Sequence, residues 1–270
     1  MERSEFRLIL FILLLLSSQI KASYRSEIYS AYVNNQMNNW RNVIERIDTI
    51  QEKSDELLLE LINYQYGYIG YCMEFGMKDE ARNYLNTAQK NLEILEKRSY
   101  HPAAVSSYKA AFYGFRIGLN PISALINAPK SMDCAKEALE LDPEYHFVYV
   151  QLGNIEFHLP AAFGGSKEEA LEYYLKARIL MEKDPESLSD DWNYLSLLTL
   201  IGQTYTFLKD YASAKKSYEE ILKIEPGFLY VKDDLYPRIL IEMENQAGTK
   251  SVLMKGVETN SPPGELKQVK

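Results

Sequence analysis

The chain alternates apolar and polar residues at helical spacing over most of its length, and prolines punctuate that pattern. Pro102, Pro143, Pro185 and Pro226 follow one another at intervals of 41, 42 and 41 residues, which points to an internal repeat. Before each later proline one spacing recurs: Ser131, Ala135, Ala138; then Ala170, Tyr174, Ala177; then Ala214, Tyr218, Ile221. An earlier copy without a proline is Ala81, Leu85, Ala88. Apolar and small residues three and four apart lie on one helix face, so each trio is the buried stripe of an amphipathic helix. Five helical pairs follow, at roughly 24–51, 55–99, 103–142, 145–184 and 190–225.

The pattern is clearest in Leu195–Pro226, LSLLTLIGQTYTFLKDYASAKKSYEEILKIEP. Measured from Gly202, Tyr205 lies 3 residues on, Ala214 lies 12, Tyr218 lies 16 and Pro226 lies 24. This small–aromatic–small–aromatic–proline series resembles the tetratricopeptide repeat. The resemblance implies an all-α, right-handed solenoid of about five helix–turn–helix repeats. In it Gly202 and Ala214 permit close helix approach, Lys209-Asp210 forms the turn with Asp210 as N-cap, and Pro226 ends the second helix.

The other pairs are variations on this unit. The first turns through the Asn-rich NNQMNN. The second has Gly67 and Gly70 at small-residue positions and Asp79 as a candidate cap. The third and fourth depart from the family spacing: Gly114 to Ser131 and Gly153 to Ala170 are each 5 residues longer than Gly202 to Ala214. The extra length falls in NPISALINAP and in HLPAAFGG, the latter followed by Ser166-Lys-Glu-Glu169, a capping-box sequence. Ser189 or Asp190 can cap the helix that holds Trp192. The loop with its Pro, Phe and Gly-Gly resembles the repeat component of tripartite periplasmic (TRAP) uptake systems. Past Pro226, Phe228, Leu229, Val231, Leu235, Ile239, Leu240 and Met243 lie on one amphipathic helix suited to covering the end of the stack. The double proline and loss of periodicity make 248–270 a flexible tail by expectation.

Composition narrows the function. Met1–Lys21 has Arg3 and Arg7, then an apolar run from Leu8 to Leu16 and the small residue Ala22. That run is shorter than the roughly 20 residues of a spanning helix, and the arrangement is that of a cleavable signal peptide over 1–22. The expected product is periplasmic or secreted and starts near Ser23. Removing 1–22 leaves 27 Lys+Arg against 36 Asp+Glu, a net charge of −9, which argues against nucleic acid as a partner. At 46% hydrophobic and 12% aromatic residues, the repeat domain 23–247 has ample core material. Cys72 and Cys134 are the only cysteines. Each sits in an apolar helical stretch, which favours buried thiols over a disulfide. Neither they nor His101, His146 and His158 have metal-ligand spacing.

No nucleophile elbow, zincin, phosphate-loop or dinucleotide motif is present, so the sequence argues for a non-enzymatic protein with no cofactor. The acidic pairs Asp190-Asp191 and Asp233-Asp234 are helix-start residues rather than acid–base pairs. Two functions remain. The first is a scaffold that binds a protein or peptide partner in a concave groove. The family resemblance places that groove on the first helix of each pair and selects Tyr64, Tyr71, Tyr108, Phe115, Asn154, His158, Gln203 and Thr206. Tyr and Phe at helical spacing also suit the inter-helix core; Asn154 and Gln203, each just after a repeat glycine, can hydrogen-bond an extended peptide. The alternative is an accessory component of a TRAP-type uptake system with transporter subunits as partners, for which an enclosed pocket is expected.

Overall fold

The structure, a computed structural model, describes residues 24–258, with side chains to residue 247; the expected signal peptide lies outside the described residues. Helix α1 spans 24–33. It is followed by α2 (Met37–Asp48), α3 (Asp55–Glu74), α4 (Lys78–Lys97), α5 (Pro102–Leu119), α6 (Ala124–Leu141), α7 (His146–His158), α8 (Lys167–Met181), α9 (Trp192–Phe207), α10 (Tyr211–Ile224) and α11 (Tyr236–Glu258). Among the described residues there is no strand. Helices α3 to α10 pack as antiparallel pairs, each against the next, which makes the molecule an all-α solenoid of repeats.

The repeat glycines act as expected where an aromatic ring crosses them. A Cβ on Gly202 would stand 2.5 Å from Cε1 of Tyr218, and one on Gly153 would stand 2.5 Å from Cε1 of Tyr174. Ala170, Tyr174, Ala177, Ala214, Tyr218 and Ile221 are all buried. Gly67 makes room for two tryptophans, since its Cβ would lie 2.6 Å from Trp40 and 2.8 Å from Trp192. Gly70 faces open space, so its place in the pattern has no packing cause.

Three pairs share one turn. Asn35, Gly76 and Lys209 adopt left-handed φ of 53°, 71° and 61°. In each turn the next residue's N–H reaches five residues back: Gln36 to Ala31, Met77 to Cys72 and Asp210 to Tyr205, at 2.8, 2.8 and 3.0 Å. This Schellman closure satisfies the last carbonyls of the first helix. The third and fourth pairs replace it with short 3-10 turns, Pro121–Ser123 and Ala161–Phe163. The third-pair insertion is not all loop, because α6 starts at Ala124 and carries Pro129 inside it.

Caps agree in part with the sequence. Ser54, Ser166 and Asp210 accept from the N–H of Leu57, Glu169 and Ser213 at 3.2, 3.1 and 3.1 Å. Asp79 lies in the first turn of α4 instead of capping it, where its charge still favours the helix N-terminus. The cap of α9 is Asp191, which accepts from Asn193 N–H at 2.8 Å; Asp190 is held left-handed at φ 52°.

The two ends of the chain meet. Arg25 of α1 donates to the Ser187 and Asp190 carbonyls and lies 3.7 Å from Asp191, while the Tyr29 hydroxyl donates to Glu225 at 3.0 Å. Tyr32 packs between Trp40, Trp192 and Phe228, with centroids 5.9, 5.8 and 4.9 Å away. Phe228, Val231, Leu235 and Ile239 are buried as the end-covering face requires. The backbone of α11 stays helical through Gly248 to Glu258, so the expected tail boundary falls inside a helix.

Candidate interaction surface

The first helices α3, α5, α7 and α9 stand side by side, and their inner faces converge on Tyr66. Its ring lies 5.4 Å from Phe115, 6.0 Å from Tyr108, 5.3 Å from Phe147 and 6.5 Å from Trp192. Burial raises its pKa, so the hydroxyl stays protonated, and it accepts from Gln151 and Asn154 at 3.5 and 3.4 Å. At this level the inner face is filled by aromatic rings. Trp192 closes it from below, edge-on to Trp40 at 4.9 Å; its indole N–H is buried with no protein partner.

The eight residues selected from the sequence separate into three groups. Tyr64 and Tyr108 are core residues rather than groove residues. Tyr64 packs where its carbonyl accepts from the Trp40 indole at 2.9 Å, and the Tyr108 hydroxyl donates to Asn63 at 3.0 Å. The solenoid closes so tightly that a mid-helix aromatic meets its neighbours before it meets solvent. Tyr71, Phe115, Asn154, Gln203 and Thr206 are half-buried. The two amides are already engaged: Asn154 accepts from Tyr174 at 2.8 Å, and Gln203 donates to Tyr230 at 3.1 Å, whose hydroxyl in turn donates to Glu74 at 3.4 Å. Thr206 donates to the Gly202 carbonyl at 2.9 Å. His158, the last residue of α7, is exposed.

The reachable part of the inner face therefore lies toward the C-terminal ends of the first helices. Phe157 packs edge-on to Phe207 at 5.0 Å, and a Cβ on Gly118 would collide with the methyl of Met73, so these ends are neighbours. Tyr66 and Gln151, in the filled part of the inner face, and Tyr230, beside Gln203, were not anticipated. Tyr230 sits past the last repeat, where no repeat spacing marks it.

Other chemistry is sparse. Cys72 and Cys134 are free thiols, and burial pushes Cys72 up to about 12 and raises Cys134 as well, so both resist ionisation. Among the described residues no group of three His, Cys, Asp or Glu could hold a metal ion, and no helix is long and apolar enough to cross a membrane. An open cleft of about 430 Å³ lies between the Asn-rich turn and α3, lined by Asn35, Asn38, Arg41, Tyr68, Tyr71 and Glu80 among others. Arg41 lies 3.6 Å from Glu80 across it.

Residues 195–228 match the family model of the tetratricopeptide repeat. No curated protein matches the sequence. Among solved structures, the chain is similar to the HusA haemophore from Porphyromonas gingivalis, with a TM-score of 0.57 and 16% identity over 70% of this chain and 92% of that one. It is also similar to a thermophilic TPR protein of Thermus thermophilus, with a TM-score of 0.49 and 17% identity over 84% of this chain and 97% of the other. Residues 195–228 are thus a tetratricopeptide-type repeat, and ring-over-glycine packing in two repeats with shared Schellman turns makes the helical stack around it similar to that repeat fold.

Proposed function

We propose that the protein is an exported, non-enzymatic scaffold that binds a protein or peptide partner at the C-terminal ends of its first helices. The observation that carries this is the line of half-buried Tyr71, Phe115, Asn154, Gln203 and Thr206 on four successive first helices. Polar and aromatic groups that are ordered by their neighbours yet reachable from solvent bind with little further loss of side-chain entropy. A photoactivatable crosslinker at Gln203, with exposed Lys216 of α10 as the comparison position, tests it in cells. A discrete adduct from position 203 and none from 216 is expected; adducts from 216 alone would move the partner to the outer face. Export is tested by fractionation and N-terminal sequencing. A start near Ser23 supports it, and an intact Met1 in the membrane fraction opposes it.

A second reading is favoured by His158. It ends α7 in the open, beside Phe157, which abuts the largely exposed Phe207. Partial burial of the ring and nearby Lys167 lower its pKa, which keeps the imidazole neutral and fit to ligate iron. One solved protein of similar fold is a haemophore. A haemin titration in which the Soret band shifts, and fails to shift in His158→Ala, supports this reading; an unchanged spectrum removes it.

A further inference from the structure

Large apolar side chains exposed to solvent concentrate where the repeat pattern is broken. Ile122, Leu125 and Ile126 are 87%, 90% and 64% exposed in the third-pair insertion, and Phe163 is 77% exposed in the fourth. The tight turns of the first and fifth pairs contain no large apolar residue, with Asn34, Asn35 and Gln36 in one and Lys209 and Asp210 in the other, and that of the second pair exposes a single one, Phe75, at 61%. Both insertions join a first helix to its second helix in adjacent pairs, so they stand on one edge of the solenoid.

The charge around these turns is unlike the rest of the molecule. The whole chain has a net charge of −8, yet no Asp or Glu occurs between Glu96 and Asp133, nor between Glu156 and Glu168. Arg116 and Lys130 flank the first apolar turn, and both lie over the Tyr113 ring, 5.5 and 5.8 Å from its centroid. Lys167 flanks the second, 4.4 Å from the Phe157 centroid. Cations on aromatic stems beside bare aliphatic side chains are the chemistry of an interfacial anchor: apolar groups enter the acyl boundary and cations meet anionic headgroups.

We propose that this edge docks the protein onto the surface of an anionic phospholipid bilayer, with Leu125 and Phe163 entering the interface. The shape favours a bilayer over a second protein. Leu125, in the first turn of α6, and Phe163, in a 3-10 turn, are 90% and 77% exposed, and a fluid interface accommodates such projections without a complementary pocket, whereas a protein partner must supply one. Pro129 strengthens the device. Lacking an N–H, it leaves the Leu125 carbonyl without its helical donor, and that carbonyl can turn to the polar headgroup layer while its side chain points inward.

The test uses the full chain with Leu125→Trp and, separately, Phe163→Trp. Trp40 and Trp192 are buried, so the introduced indole supplies the red-edge emission of the free protein. Vesicles of phosphatidylglycerol and phosphatidylethanolamine are expected to shift that emission to shorter wavelength and to allow quenching by brominated acyl chains. Phosphatidylcholine vesicles should do neither. Arg116→Glu with Lys130→Glu should weaken the effect at least tenfold at low salt. Reading the introduced indole keeps any binding by residues 1–22 separate from binding by this edge. The proposal is overturned if both indoles keep water-exposed emission while the protein is on vesicles, or if vesicles do not bind it. It is equally overturned if self-association, abolished by Leu125→Asp, accounts for the shift without lipid.

Discussion

Three glycines carry three different constraints. Gly202 is required by space: a methyl there meets the Tyr218 ring at 2.5 Å, and ring and helix must separate. Gly76 is required by conformation, since its φ of 71° suits glycine although nothing crowds it. Gly70 is constrained by neither. Gly202→Ala should cost about 1–3 kcal/mol as overpacking, and Gly76→Ala about 1–2 kcal/mol as left-handed strain. Gly70→Ala, inside α3, should gain about 0.5–1 kcal/mol, because alanine loses less backbone entropy in a helix. Urea midpoints of the three variants check the order; a destabilising Gly70→Ala would mean that α3 is rotated. Gln203 belongs to this scale too. The sequence places it beside the repeat glycine, but its bond to Tyr230 depends on a residue 27 positions away.

At the scale of elements, helix starts were legible and their details were not. Ser166 caps α8 as the S-x-x-E sequence implies, but the reciprocal bond comes from Glu156, whose carboxylate accepts from Ser166 N–H at 3.3 Å. The capping-box role of Glu169 thus passes to a residue on the preceding helix, which no local motif can reveal. Ser166→Ala should cost about 1 kcal/mol, and Glu169→Ala should stay within about 0.5 kcal/mol, as for an ordinary surface change. Equal losses in thermal unfolding would restore the box. Asp191, not Asp190, caps α9 because Asp190 is taken by the left-handed turn. A carboxylate pair in sequence does not say which member reaches the helix.

For the whole molecule, the main consequence is closure. An open solenoid couples only neighbouring repeats, and a lesion in the last would loosen that end first. Here α1 is bound to the fifth pair and to the segment after it by Arg25, Tyr29 and Tyr32, so the ends share one core. Urea unfolding followed by tryptophan emission and by far-ultraviolet circular dichroism should therefore give coincident curves. Tyr29→Phe, which leaves Glu225 without its hydroxyl donor, should shift both curves by about 1–3 kcal/mol. Separated curves would show that the ends unfold independently and that closure contributes little.

The all-helical architecture, the five pairs, the buried trios on the second helices and the covering face after Pro226 were determined by the sequence itself. They rest on local periodicity and on contacts between adjacent repeats, both of which leave fixed spacings in the chain. The filling of the inner face was decided only in three dimensions. Tyr66 meets residues from α5, α7 and α9, and Trp192 meets Trp40 from the far side of the chain, so no spacing encodes either contact. Tyr64 and Tyr108 fit both groove and core in the sequence, with core the commoner place for such aromatics, because helical periodicity gives the face of a residue and not how far away the next helix stands. That distance is set by how tightly the superhelix winds, which is a property of the assembled stack.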